Sequence, residues 1–365
     1  MNADQVWILG ATGRSGRAIA ARLAAGPLPP VLVGRDPERL RELAGTLGGT
    51  PRTVPAGSVD AVVAQLARHA PTVVVNTIGP FTETAAQIAR ACPPGTHYVD
   101  LANELTAVAG LLGLRDEAIA AGRCLVTGAG FGVLATESVV LKLCENRPPA
   151  TRVRVDALPM TESAGGFVGS GLAASIVESL ALGGRRYEHG RLVRARLGAD
   201  AERFALPDGS TAHTLGVPTG ELEAAHRAGG APFVVAASGA LPSGWAVRAV
   251  LPVAALLLSR PVLRRTAERR LARVPSRGRG GEFSWARARM WWADGRTREG
   301  WLRTGAAMEF TAAVGAEVAS RLARGEGRPG THTPGSLFGP ELAVKAGGTF
   351  LLDERASLDE PDQPG

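Results

Sequence analysis

Residues 6–16 read Val-Trp-Ile-Leu-Gly-Ala-Thr-Gly-Arg-Ser-Gly. A short apolar strand runs into three glycines, each two residues apart from the next, and then into a helix expected over residues 17–25. Each glycine has a mechanical reason to be there. Gly10 lets the chain turn sharply off the strand, Gly13 lets backbone come close to a pyrophosphate, and Gly16 lets the helix pack tightly on the sheet. A helix start offers free N–H groups and the positive end of a dipole, so the turn suits an anion, with Thr12, Arg14 and Ser15 as further candidate contacts. The spacing is G-x-x-G-x-x-G, a variant of the commoner G-x-G-x-x-G that is met where NADP is bound.

Strands and helices alternate beyond the turn. A second strand is expected over residues 31–33, ending at Gly34-Arg35-Asp36-Pro37. Asp36 followed by Pro37 reads as an N-cap and first helical position, opening a helix over 38–46. Helices are expected over 58–69, 82–91 and 107–121, and strands over 72–76, 98–99 and 124–127. Thr72-Val73-Val74-Val75 is almost wholly β-branched, as a buried parallel strand should be. This repeat predicts an α/β protein, a Rossmann doubly wound parallel sheet, followed by a second, smaller α/β domain carrying a mixed sheet. The expected limits are 1–130 for the dinucleotide-binding domain and 131–330 for the second. Residues 331–354 are expected to pack back near the first domain, and 355–365 to form a disordered tail.

The end of the second strand selects the nucleotide. An acid there suits the ribose 2′-hydroxyl of NAD, whereas an arginine accommodates a 2′-phosphate. Here Gly34 is followed by Arg35, and Asp36 is spent as the cap, which favours NADPH/NADP+ over NAD; two solvated arginines, Arg35 and Arg14, are the plainer alternative. The next strand ends in Asn76-Thr77-Ile78-Gly79-Pro80-Phe81. Its Gly79-Pro80 pair fixes a loop that can lie against a cofactor, and Asn76 is a further candidate contact. The following strand gives His97-Tyr98-Val99-Asp100 and then Asn103-Glu104. Tyr98, Asp100 and Glu104 are the candidate proton donors, and Asp100 reads equally well as a cap for the next segment.

Composition narrows the function classes. Of 365 residues, 45% are hydrophobic and the net charge is +7, carried almost wholly by arginine, since lysine occurs only at Lys142 and Lys345. Aromatics are not interleaved with the basic residues, so no nucleic-acid partner is expected. Cys92, Cys124 and Cys144 are far apart and odd in number, which argues against a disulfide framework and suits a reducing cytoplasm. The histidines show no metal-ligand spacing, so no metal site is expected. No signal peptide is expected, because Asp4 and the glycine turn precede any apolar core.

In the second domain, strands are expected over 151–157, 283–292 and 298–303, with Asp294-Gly295 between the last two as a hairpin signal. Trp285, Arg287 and Arg289 alternate with Ala286, Ala288 and Met290, so one face is expected packed and the other wet. Trp291, Trp292 and Trp301 are core or an apolar substrate wall. Helices are expected over 169–182, after Gly165-Gly166, and over 306–323. Residues 245–263 are nearly all apolar and precede Arg264, Arg265, Arg269, Arg270, Arg273, Arg277 and Arg279. A buried helix followed by a solvated amphipathic one is the plain reading; a membrane-surface segment, or a basic dock for an acidic carrier protein, are the others.

These stretches together resemble the saccharopine dehydrogenase-like NADP-binding oxidoreductases. The resemblance rests on Gly10–Gly16, Gly34-Arg35, Asn76–Phe81, Gly95-Thr96-His97-Tyr98-Val99-Asp100, Gly128-Ala129-Gly130-Phe131-Gly132, residues 169–180, Thr333-Pro334-Gly335 and Phe338-Gly339-Pro340-Glu341. It implies a nicotinamide cofactor and reduction of a C=N or C=O bond of a small or acyl-carrier-bound metabolite. It also implies an alternative, an enoyl reductase acting in trans on a polyketide or acyl thioester; the residue at Gly132 and the apolar segment 251–258 motivate another, a non-catalytic NADP-binding scaffold or membrane-surface protein. A homodimer stays open. Many relatives carry Gly-Phe-Asp where this chain has Gly130-Phe131-Gly132, so a carboxylate common there is absent.

Overall fold

The computed structural model describes residues 6–48, 51–160, 170–239, 254–258, 260–274, 282–352 and 357–358. The chain divides into two compact units, Met1–Leu134 with Ala307–Phe338, and Ala135–Ala306 with Gly339–Gly365.

The first unit is a parallel sheet of seven strands. In chain order these are β1 (Val6–Leu9), β2 (Val31–Gly34), β3 (Thr53–Pro55), β4 (Val73–Asn76), β5 (His97–Asp100) and β6 (Cys124–Val126), joined at the edge by a late strand, β15 (Gly330–His332). The spatial order is β15-β6-β5-β4-β1-β2-β3. Chain direction reverses its march between β1 and β4, the topological switch point where doubly wound sheets bind ligands. β1, β2 and β4 are buried along their whole length, as continuous apolar strands covered on both faces must be. Helices α1 (Arg14–Ala24), α2 (Pro37–Thr46), α3 (Val59–His69) and α4 (Phe81–Ala91) alternate with the strands. Asp36 caps α2 as expected, accepting from the Glu38 and Arg39 N–H groups at 2.9 and 3.2 Å. The helix expected over 107–121 is instead two, α5 (Leu105–Leu112) and α6 (Arg115–Ala120), broken at Gly113-Leu114.

The second unit carries the larger sheet, ten mixed strands, so the expectation of a smaller second domain is corrected. After α7 (Thr136–Cys144) come β7 (Arg152–Leu158), α8 (Ser170–Leu182), β8 (Gly184–Glu188), β9 (Arg191–Ala195), β10 (Glu202–Ala205) and β11 (Thr211–Gly216). α9 (Glu221–Gly229), β12 (Phe233–Ser238), α10 (Pro261–Leu271), β13 (Ser284–Trp291) and β14 (Arg296–Thr304) follow. The Asp294-Gly295 hairpin forms with Gly295 at φ +79°. The long helix α11 (Ala307–Ala323) then belongs to the first unit, where it packs on α1, β4 and β5. α12 (Pro334–Phe338) stays there, while α13 (Glu341–Lys345) and β16 (Thr349–Leu352) belong to the second unit, β16 pairing with β14. The chain thus passes between the two units after residues 134, 306 and 338, where the sequence reading set limits at 130 and 330. In the expected tail, Ser357–Leu358 pair with β14 as β17, and its other residues lie outside the described ones.

The face of β13 expected to be wet is buried. Arg287 is 3% exposed and meets Asp156 at 3.4 Å, Glu202 at 2.8 Å and Glu299 at 2.6 Å. Arg154 binds Asp156 at 2.9 Å and Glu202 at 2.8 Å, and the Thr214 hydroxyl donates to Asp156 at 2.7 Å. The Arg287 guanidinium also lies over the Phe204 ring, 4.1 Å from its centre. Trp292 and Trp301 are buried, and Trp301 meets Trp285 edge to face, which is the core reading of these tryptophans. Charges can occupy this interior only because each is paired.

Candidate functional site

The parallel registers bring the carboxyl ends of β1, β2, β4, β5 and β6 to one edge of the first sheet. Gly10 leaves β1 at φ +76°, and a Cβ there would sit 2.8 Å from the Thr77 hydroxyl oxygen. Its N–H and that of Ala11 both donate to the Val33 carbonyl, tying the turn to β2. At Gly16, a Cβ would sit 2.4 Å from the Gly10 carbonyl oxygen and 2.9 Å from the Ala11 Cα. Both glycines are thus explained by the chain itself.

Gly13 is different. It is exposed, its φ is −74°, and an added Cβ would meet only the Gly10 carbonyl, at 3.2 Å. It is the N-cap of α1, yet it supplies no side-chain cap, where serine, threonine or aspartate would satisfy the first-turn N–H groups. The dihedral does not require glycine there, and the one close approach an added Cβ would make is far milder than that at Gly16.

The β4 loop closes the other side of the switch point. The Thr77 hydroxyl donates to the Leu9 carbonyl at 2.7 Å and approaches that of Gly10 at 3.2 Å, bridging β1 and β4. Sequence reading passed over Thr77 as a site residue; a hydroxyl directly beyond the strand next to the glycine turn was the available signal. Asn76 is wholly buried, and its side chain shapes the loop. Its carbonyl oxygen accepts from the Ile78 N–H, and its amide donates to the Tyr98 hydroxyl at 3.0 Å. Thr84 donates to the Ile78 carbonyl, and Gly79–Pro80 is a cis peptide with Gly79 exposed. On the other flank, Gly34 ends β2, and Arg35 and Arg14 are exposed. Thr12 and Ser15 are half-buried; the Thr12 carbonyl accepts from Arg17, and the Ser15 hydroxyl faces the Met308 sulfur at 3.6 Å.

The three expected proton donors do not face this edge. Tyr98 and Asp100 are both 0% exposed and Glu104 is 2% exposed. Asp100 accepts from the Tyr98 hydroxyl at 3.1 Å, the Thr127 hydroxyl at 2.8 Å, and the N–H groups of Ala102 and Gly128 at 3.0 and 3.2 Å. It staples the loop after β5 to the end of β6. Burial pushes its carboxyl above the usual 3.8, and these donors only partly offset that. Burial and the neighbouring carboxylate likewise hold the Tyr98 hydroxyl protonated well beyond its ordinary range. The Glu104 carboxylate accepts from the Asn103 N–H at 3.1 Å. In this structure all three are buried, and their hydrogen bonds fix the strand ends.

Gly128, at φ +76°, leads into a π-helical turn, Phe131–Ala135, where Phe131 meets Phe310 edge to face. All three cysteines are free. Among the described residues, no group of histidine, cysteine, aspartate and glutamate could hold a metal ion, and no helix is long and apolar enough to cross a membrane.

No protein-family profile matches the sequence, and no curated protein matches it. Among solved structures, the chain is similar to apo saccharopine dehydrogenase (L-Glu forming) from Saccharomyces cerevisiae. The TM-score is 0.61 at 14% identity, over 96% of this chain and 100% of that one. Likenesses over a third of the chain extend to serine dehydrogenase from Escherichia coli (TM-score 0.30, 17% identity, 33% of this chain and 80% of that one). They extend also to a short-chain dehydrogenase from Sphingobium yanoikuyae in complex with NADPH (TM-score 0.30, 20% identity, 34% and 71%). The fold is that of saccharopine dehydrogenase.

Proposed function

We propose that this chain is an NADPH-dependent reductase acting on a C=N or C=O bond of a small or carrier-bound metabolite. The observation that carries the nucleotide reading is Gly13, an exposed glycine whose dihedral does not call for one, set at the uncapped start of α1 beside the switch point. A pyrophosphate there would need the space a Cβ fills and the N–H groups a cap would consume. Gly10 and Gly16 shape the turn, Thr77 locks it to β4, and Gly79 and Pro80 form the facing loop. Arg35 and Arg14 are placed to favour a 2′-phosphate, with Asp36 engaged in capping α2. NADPH, when bound, supplies a hydride, and the chain supplies orientation and shelter from water. Three free thiols suit a cytoplasmic setting.

Calorimetry tests the reading. NADPH should bind more tightly than NADH, and Arg35→Ala should remove most of that preference, about ten-fold or more for a charge-assisted phosphate contact. Gly13→Ala should weaken both nucleotides while leaving the thermal midpoint close to wild type. Absence of heat with either nucleotide refutes the proposal.

Burial of Tyr98, Asp100 and Glu104 favours a second reading of the chemistry. Imine reduction wants a nearby acid, whereas a conjugated enoyl thioester accepts hydride with less help from side chains. NADPH consumption with amine plus keto acid, set against consumption with a crotonyl thioester, separates the two. Turnover on neither leaves the non-catalytic NADP-binding alternative.

A further inference from the structure

Part of the apolar stretch expected as a buried helix, residues 245–263, lies outside the described residues, as do Arg277 and Arg279. In the part that is described, Ala254, Ala255 and Leu258 are half-buried, Ala255 packing against Leu197 and Leu215, while Leu256 is 73% exposed and Leu257 48%. Immediately after it comes α10, which packs along α8. The packed side holds Arg264, Ala267, Glu268 and Leu271, all only partly exposed, with Arg264 and Glu268 paired at 3.5 Å.

The outer side is unusual. Val262, Arg265, Thr266, Arg269, Arg270 and Arg273 are all exposed, and their spacing of three and four places them on one helical stripe. Among the described residues, none of Arg265, Arg269, Arg270 and Arg273 pairs with a carboxylate. Apolar side chains lie at the ends of this stripe: Val262 is 76% exposed, Leu263 40% and Val274 45%, with Leu256 and Leu257 just upstream. Five of the eleven large hydrophobic side chains exposed among the described residues therefore fall within residues 256–274, around four unpaired guanidinium groups. A merely solvated helix gains nothing from leucine and valine in water.

We propose that this face of α10 docks on an anionic phospholipid surface. The guanidinium groups meet lipid phosphates, and Leu256, Leu257, Val262 and Leu263 enter the boundary between headgroups and acyl chains. The contact is peripheral. It combines two weak signals, apolar insertion and charge, and neither suffices alone. The proposal is independent of the nucleotide reading.

The test is sedimentation of the full chain with phosphatidylcholine vesicles, with or without a third of phosphatidylglycerol. Binding is expected only to the anionic vesicles and should weaken as salt rises. Arg269→Gln should weaken partition by about five-fold, and Arg269→Gln with Arg273→Gln by about twenty-five-fold, at roughly five-fold per arginine. Leu256→Ser with Leu257→Ser should abolish binding even at low salt, which bare charge attraction would not do. Circular dichroism and an unchanged thermal midpoint on each variant verify an intact fold. The proposal is overturned by equal binding to neutral vesicles, by no binding to anionic ones at low salt, or by arginine variants that bind like wild type. It is also overturned if an acidic carrier protein is captured through these arginines while vesicles are not.

Discussion

In the first sheet, the positions proposed to meet a ligand are glycines just beyond the strand ends; β1 and β2 carry only apolar side chains, and the polar ones of β4 and β5, Asn76, Tyr98 and Asp100, gather towards the strand ends. In the second sheet, charged side chains stand on the strands themselves, on a face largely closed from water. One region makes room by omitting side chains. The other fills its interior with Arg154, Asp156, Glu202, Arg287 and Glu299, held by one another. The difference teaches where each unit is vulnerable. Adding an atom damages the first, and removing one charge damages the second.

The largest test of that contrast is Arg287→Ala. It strands Asp156, Glu202 and Glu299 with one fewer cation in a buried setting, and should cost about 3–5 kcal/mol of stability in urea unfolding. A loss below about 1 kcal/mol would mean that water reaches this face and that the contrast is false. Next in size is Gly16→Ala, whose Cβ has no room beside the Gly10 carbonyl. It should cost about 1–3 kcal/mol by overpacking and remove nucleotide binding as well. Compared with the milder Gly13→Ala, it separates a glycine that the fold requires from one that only a ligand does. Asp36→Ala should cost about 1 kcal/mol through the lost cap, at an unchanged ratio of NADPH to NADH affinity.

Acidity gives the smallest effect, and its sign differs between the units. Burial alone would raise the Glu202 carboxyl, but its hydrogen bond to Arg287 and the charges of Arg154 and Arg287 hold it below the ordinary 4.5. It therefore stabilises the fold above 4.5, and that contribution is lost as pH falls through its depressed folded value. Asp100 is raised, so its contribution is complete below 3.8 and is lost as pH rises through its folded value. Glu202→Gln should flatten the acid limb of stability against pH, and Asp100→Asn should flatten the opposite slope just above it. Parallel responses in the two variants would break the contrast.

The first unit was readable because its information is local. Three glycines within seven residues, β-branched strands and an Asp-Pro cap each state their role over one turn of chain. The charge network was not readable for the converse reason. Arg287 and Asp156 are 131 residues apart, so alternation along β13 could be seen but not what closes over it. Polar alternation was accordingly taken for a wet face. Arg154 and Asp156, two apart on one strand and so on one face, were the one local hint. Tyr98 and Asp100 are a different case: their place at a strand end was legible, but their complete burial was not, because sequence does not tell a residue above the rim from one beneath it. Gly113, inside a helical pattern, was the unheeded sign of the break between α5 and α6.

The return of α11 and β15 to the first unit bears on how this protein is made. α11 lies on α1, where its Gly315 leaves space that Ile19 occupies, and β15 completes the far edge of the sheet beside β6. A ribosome delivers these pieces only after the entire second sheet apart from its closing strands. The first unit therefore begins synthesis first but closes only after most of the second has been made. A fragment cut after residue 134 should emerge with an uncovered helix flank and a bare strand edge, prone to aggregate rather than to fold.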